Sequence, residues 1–104
     1  MKDIQCYCDA IGAAFRPRRI ILFGSHAYGT PNANSDVDVF VMMPKSKRSG
    51  RRASLKIREK VSAGFPVDII VRDPAFVTER LREGDTFLEE IIAKGRVMYE
   101  SGDA

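Results

Sequence analysis

A short apolar run at residues 20–23 leads directly into Gly24 and Ser25, and this junction constrains the fold more than any other feature. After ten further residues come two aspartates, Asp36 and Asp38, separated by a single valine. Side chains at i and i+2 of a strand point to the same face, so we expect the two carboxylates side by side. Mg²⁺ prefers oxygen ligands and often takes only one or two carboxylates, with water and substrate phosphates completing its shell. If Ser25 begins a helix, its hydroxyl and the first backbone N–H groups would bind the phosphate.

The rest of the chain predicts helices and strands in alternation. We expect strands at residues 20–23, 37–43 and 67–71, a final edge strand at residues 97–99, and a loop at residues 30–35. The first helix should carry the apolar stripe Ile4, Cys8, Ile11 and Phe15, and a basic helix should lie within residues 49–64. Two more helices should follow, one from the N-cap Asp73 to Glu83 and one that begins with the capping pair Thr86 and Glu89. Such a succession predicts an α+β fold, an α/β sandwich in which a small mixed sheet of three to four strands packs against helices.

A third aspartate, Asp68, interrupts the apolar run at residues 67–71. Burying an unpaired carboxylate in such a strand costs several kcal/mol, so we expect a buried Asp68 with a metal or a base as its partner. Three aspartates on adjacent strands would repel one another and raise the pKa of at least one of them, and bound cations would relieve this repulsion. Two cations about 4 Å apart would suit an in-line displacement at phosphorus.

Two other interpretations of these motifs are weaker. The stretch from Gly24 to Thr30 reads G-x-x-x-x-G-T, and Thr30 stands where a P-loop requires lysine, which makes a P-loop NTPase improbable. An Asp-x-Asp pair alone is common in solvated turns. The prediction of a catalytic site therefore depends on the combination of both motifs with the third aspartate.

Length and composition limit the classes of function. With 104 residues, we expect residues 1–104 to form a single domain without a separate substrate domain. No apolar run reaches the length of a membrane span and no signal-peptide core is visible, so we expect no membrane partner and a cytoplasmic location. Cys6 and Cys8 have no second metal-binding pair nearby, and we expect reduced thiols on the first helix.

The positive charge is concentrated in one segment. Residues 45–60 carry eight of the 17 basic residues and a single acid, Glu59. Because the net charge of +3 is local, we do not expect direct nucleic-acid binding. The segment is either a solvated helix face or a contact for a triphosphate or an acidic partner.

The stretch GSHAYGTPNANSDVD resembles the signature of the DNA polymerase beta-like nucleotidyltransferases, and the chain is most similar to their minimal members over residues 4–100. This resemblance implies the polymerase beta-like fold. It implies that Asp36 and Asp38 hold two metal ions, that Asp68 completes the catalytic and metal-binding set, and that Gly24 and Ser25 bind the nucleotide.

The positions of His26 and Tyr28 are basic in many members of that family. Both side chains can donate hydrogen bonds to phosphate, but they bring less positive charge than arginine. Packing of Tyr28 against the loop is an equally good explanation of that residue.

The resemblance also implies an activity. The chain is similar to the MntA-type antitoxins, for which the family pattern implies a transfer of AMP from ATP, with two Mg²⁺ ions, to a tyrosine of a partner HEPN ribonuclease toxin. Two alternatives stay open. The first is nucleotidyl transfer to a small hydroxyl compound, as in aminoglycoside nucleotidyltransferases, which usually carry a further helical domain. The second is a catalytically idle antitoxin that only masks its partner.

Overall fold

A computed structural model describes residues 2–29, 36–44 and 50–101. Its helices and strands are, in chain order, α1 (Lys2–Phe15), β1 (Arg19–Phe23), α2 (Ser25–Tyr28), β2 (Val37–Met42), α3 (Arg51–Lys60), β3 (Val67–Arg72), α4 (Pro74–Arg82), α5 (Thr86–Lys94) and β4 (Arg96–Glu100). The predicted α+β fold is confirmed. The loop expected at residues 30–35 and the basic residues Lys45, Lys47 and Arg48 lie outside the described residues.

The four strands form one mixed sheet in the order β3-β2-β1-β4. Strand β1 is antiparallel to both β2 and β4, whereas β2 and β3 are parallel. The final strand is an edge strand, as predicted. Because β1 runs opposite to β2, the end of β1 and the beginnings of β2 and β3 lie at the same end of the sheet. The Gly-Ser turn and the predicted aspartates therefore meet there.

Helices cover both faces of this sheet. Helices α1 and α3 pack on one face, together with Val37, Val39, Val41, Ile69 and Val71. Helices α4 and α5 pack on the other, the α4–α5 face, together with Phe40, Met42 and the partly buried Ile70. Strand β2 is therefore a central strand covered on both sides. Alternate residues of a strand share a face, which places Asp38 on the α4–α5 face with Phe40, and Asp68 there with Ile70.

Helix α1 buries the predicted stripe, with Phe15 only partly buried. It ends at Phe15, after which Arg16 adopts a positive φ of 47° and Pro17 follows. Cys6 and Cys8 are free thiols on this helix. Burial raises the pKa of Cys8 to about 12, so at neutral pH this residue is an inert part of the core.

Several helix ends differ from the sequence prediction. The N-cap of α5 is Asp85 rather than Thr86, and its carboxylate accepts a hydrogen bond of 3.1 Å from the Leu88 amide. The predicted cap of α4 is confirmed, since Asp73 accepts from the Ala75 amide at 2.8 Å. Strand β2 ends one residue earlier than predicted, and β3 extends one residue further. Within the described ranges, no helix is both long and apolar enough to cross a membrane.

Candidate functional site

Two of the predicted site residues are direct neighbours in the sheet. Asp38 of β2 lies beside Asp68 of β3 in the parallel register, and on its other side it is paired with Phe23 of β1. Neighbouring strands lie about 4.8 Å apart, so the two carboxylates extend from adjacent backbones on the same face of the sheet. Asp36 directly precedes β2, two residues before Asp38.

The negative charges of Asp36 and Asp68 both act on Asp38. The pKa of Asp38 is raised, first by its own partial burial and then by the negative charges of Asp68 and Asp36. His26 acts in the opposite direction and lowers the pKa of Asp38. The predicted rise in the pKa of at least one carboxyl is therefore found at Asp38, the least exposed of the three.

The expected burial of Asp68 is wrong. Asp68 is exposed, although the residues beside it in the sequence are apolar. The reason is its place in the sheet, because β3 is an edge strand and Asp68 is its second residue. The free-energy cost of a buried carboxylate therefore does not apply to this residue.

Gly24 fits this site because it has no side chain. Its backbone has φ 76° and ψ −162°, a combination that is essentially restricted to glycine. A Cβ atom at this position would overlap Oδ2 of Asp38. The glycine therefore allows the turn to approach the Asp38 carboxylate closely.

Ser25 begins α2, as predicted, although this helix has only four residues. The amides of Ala27 and Tyr28 both donate to the Gly24 carbonyl, at 3.0 and 3.1 Å. The Ser25 amide precedes these bonds and has no acceptor within a helix of this length. Ser25 therefore stands at the start of a single helical turn, directly after the glycine that lies against Asp38.

The donor set fits a hard divalent cation. Asp36, Asp38 and Asp68 supply only carboxylate oxygens, which are the ligands that Mg²⁺ prefers, and their mutual repulsion favours a bound cation. In the part of the chain that the structure describes, no three His, Cys, Asp or Glu side chains already converge into a metal-binding group. Two of the three carboxylates are exposed, which matches an open site where water and phosphate complete the metal shell.

The sequence did not predict a contribution of Arg58, a residue of the basic helix α3. Its guanidinium donates a hydrogen bond of 3.0 Å to the carbonyl of Val67, the residue before Asp68. Arg58 also lines a cleft of about 400 Å³ together with Tyr7, Asp36 and Phe65, which we call the α1 cleft. The basic helix therefore places one positive charge in the same cleft as Asp36 and against the backbone of the residue before Asp68. No local sequence signal marks Arg58, because only the packing of α3 against β3 brings it there.

Comparison with known proteins gives the family of this chain. The nucleotidyltransferase domain family matches residues 9–99, and the chain therefore belongs to that family. Its mixed sheet with helices on both faces is consistent with the polymerase beta-like nucleotidyltransferase fold. A solved structure described as "Crystal structure of the toxin-antitoxin with AMP-PNP" is similar in fold, with a TM-score of 0.65 and 20% identity over 99% of this chain and 77% of the other. No curated protein matches the chain.

Proposed function

We propose that this protein is a Mg²⁺-dependent nucleotidyltransferase that transfers AMP from ATP to a tyrosine of a partner HEPN ribonuclease toxin, and that it acts as an antitoxin of the MntA type. The observation that carries the proposal is the pairing of Asp38 with Asp68 beside the Gly24–Ser25 turn, in a chain that belongs to the nucleotidyltransferase domain family. We also propose that residues 1–104 act as one catalytic domain in the cytoplasm.

In this reaction the acceptor hydroxyl oxygen forms a bond to the α-phosphorus of ATP. The bond from that phosphorus to the α,β-bridging oxygen breaks, and pyrophosphate leaves with the bonding electrons. The hydroxyl proton passes to solvent. Two Mg²⁺ ions, when bound, would stabilise the charge on the attacking and leaving oxygens.

Each site residue has a separate task in the proposed reaction. Asp36 and Asp38 would hold both ions, and Asp68, on the adjacent strand, would hold the ion nearer the acceptor. Ser25 would donate hydrogen bonds to the outgoing phosphates through its amide and its hydroxyl. Gly24 would allow phosphate and carboxylate to lie close together, because a Cβ there would overlap Asp38.

A protein acceptor is supported by the accessibility of the site. Asp36 and Asp68 are exposed at the end of the sheet, so a side chain presented by another protein can approach them. The similar solved structure is described as a toxin-antitoxin with AMP-PNP, an analogue of ATP, and this supports both the kind of partner and the nucleotide.

The experiment combines the protein, Mg²⁺, α-labelled ATP and the product of the neighbouring gene. We expect label on a tyrosine of that partner and loss of partner ribonuclease activity. EDTA and Asp38→Asn should each abolish labelling, whereas Asp9→Asn, which changes an exposed aspartate of α1, should not.

Two results would contradict this proposal and favour its alternatives. Labelling of an aminoglycoside but not of the protein partner would indicate transfer to small hydroxyl compounds. Full inhibition of the partner by folded Asp38→Asn, without any labelling, would indicate an antitoxin that acts by contact alone.

A further inference from the structure

A second cleft opens on the α4–α5 face, which is the face of the sheet that carries the carboxylates. Its volume is about 330 Å³, at the lower end of the roughly 300–1,000 Å³ of small-molecule sites. Phe40 and Ile70 form its floor. They follow Asp38 and Asp68 by two residues on the same strands, so at a rise of about 3.3 Å per residue the floor begins roughly 7 Å from the carboxylates. We call this the α4 cleft.

The walls of the α4 cleft are aromatic. Phe76 of α4 and Phe87 of α5 both line it. Phe87 is 51% exposed. Small-molecule sites are typically lined by apolar and aromatic side chains, with few polar groups. The exposed Phe87 ring therefore offers a flat apolar surface to a ligand.

The positive charge of Arg80, which lines this cleft, is already neutralised by carboxylates of the protein. Arg80 forms ion pairs with Asp85 at 3.1 Å and with Glu83 at 3.6 Å. A phosphate would have to compete with two carboxylates for this guanidinium. Arg72 lines the cleft as well, and its guanidinium donates a hydrogen bond of 2.8 Å to the Val71 carbonyl. Both guanidinium groups therefore already have protein partners, whereas the exposed Phe87 ring is open to a planar group.

The Phe87 wall is connected to the Gly-Ser turn through one residue. The rings of Phe87 and Phe23 pack edge to face, with centroids 5.8 Å apart and an interplanar angle of 86°. Phe23 directly precedes Gly24 and is paired with Asp38 in the sheet. The α1 cleft lies against α1 instead, and its lining includes neither Phe23 nor Gly24.

From this geometry we propose that the α4 cleft binds the base of the nucleotide, which stacks on the exposed face of Phe87. The inference rests on the proposed function, because it assumes that the phosphates lie at Gly24–Ser25 and the metals at Asp38. A ligand whose phosphates lie there can extend its base over the roughly 7 Å to the cleft floor. Aromatic stacking accepts any base through its π-face, so the cleft supplies affinity for a nucleoside more than selection among bases.

The test compares two ligands that share a triphosphate but differ in the nucleoside. Calorimetry with Mg²⁺ would measure the binding of ATP and of inorganic tripolyphosphate to the wild type, Phe87→Ala and Phe87→Trp. Phe87→Ala should weaken ATP binding by roughly 5- to 140-fold, the range found when a base-stacking aromatic is removed. Tripolyphosphate binding should not change, and Phe87→Trp should bind ATP like the wild type. Leu55→Ala is the matched control, because Leu55 is an equally exposed apolar residue, at 55%, on α3.

Several results would overturn the inference. Equal weakening of both ligands by folded Phe87→Ala would mean that the ring only supports the Gly-Ser turn through Phe23. Unchanged ATP binding would place the base elsewhere, and unchanged binding with lost transfer would assign the cleft to the acceptor. Selective loss of ATP binding in Phe65→Ala alone would assign the base to the α1 cleft. If the wild type binds neither ligand, the proposed function fails as well.

Discussion

Gly24→Ala should destabilise the protein through two effects, backbone strain and an overlap with the Asp38 carboxylate. The backbone at φ 76° and ψ −162° lies in a region that costs other residues about 1–3 kcal/mol. The new Cβ would also overlap Oδ2 of Asp38 and push the carboxylate away from its rotamer, at about 0.5–1.5 kcal/mol. Together these effects lower the free energy of unfolding by about 1.5–4.5 kcal/mol.

Thermal and urea unfolding in EDTA would measure this loss. For a domain of this size each kcal/mol corresponds to about 4–8 °C in Tm, so Gly24→Ala should melt at least about 6 °C below the wild type. Gly29→Ala is the matched control. Gly29 has φ 79° and ψ 20°, and an added Cβ there would meet nothing within 4 Å. Only the backbone cost of about 1–2 kcal/mol should appear at that position.

A double-mutant cycle would isolate the contact between Gly24 and Asp38. In the Asp38→Ala background the overlap is gone, so Gly24→Ala should cost less there by about 0.5–1.5 kcal/mol. If the two substitutions are instead additive within about 0.3–0.5 kcal/mol, Gly24 does not restrict the Asp38 carboxylate and our account of the turn is refuted.

Three further predictions concern single side chains. Because the folded-state pKa of Asp38 is raised, the metal-free protein should lose stability as pH rises from about 4 through that pKa. Asp38→Asn should abolish this loss of stability in unfolding curves recorded in EDTA. If the stability of Asp38→Asn depends on pH as that of the wild type does, the prediction is wrong. Since Asp68 is exposed, Asp68→Asn and Asp68→Val should change the free energy of unfolding by no more than about 0.5 kcal/mol while abolishing transfer. Full transfer by Asp68→Asn would remove this residue from the site. Ser25→Ala should weaken ATP binding by about 1.5–3 kcal/mol in calorimetry, and an equal dissociation constant would count against its phosphate contact.

Local sequence patterns predicted most of the helices and strands. The spacing of three apolar residues was enough to predict helix α1, because a helix that buries one face repeats its apolar residues at this interval. These residues are Ile4, Cys8 and Ile11. The cap Asp73 with Pro74 located the start of α4, because both residues act through their own backbone neighbours. The same logic failed at α5, where Asp85 and Thr86 are adjacent and both able to cap.

The sequence by itself determined which groups are available for chemistry: the Gly24–Ser25 turn after a strand, the Asp36 and Asp38 pair, and a third aspartate in another strand. Only the tertiary structure decided that β2 and β3 are parallel neighbours, which brings Asp38 beside Asp68. It also decided that β3 is an edge strand, and so exposed an aspartate that its apolar neighbours had predicted to be buried. Periodicity and caps depend on residues a few positions apart, whereas strand order and register depend on contacts between distant segments. For the same reason, no pattern in the chain could predict that Phe87 would pack against Phe23 beside the Gly-Ser turn.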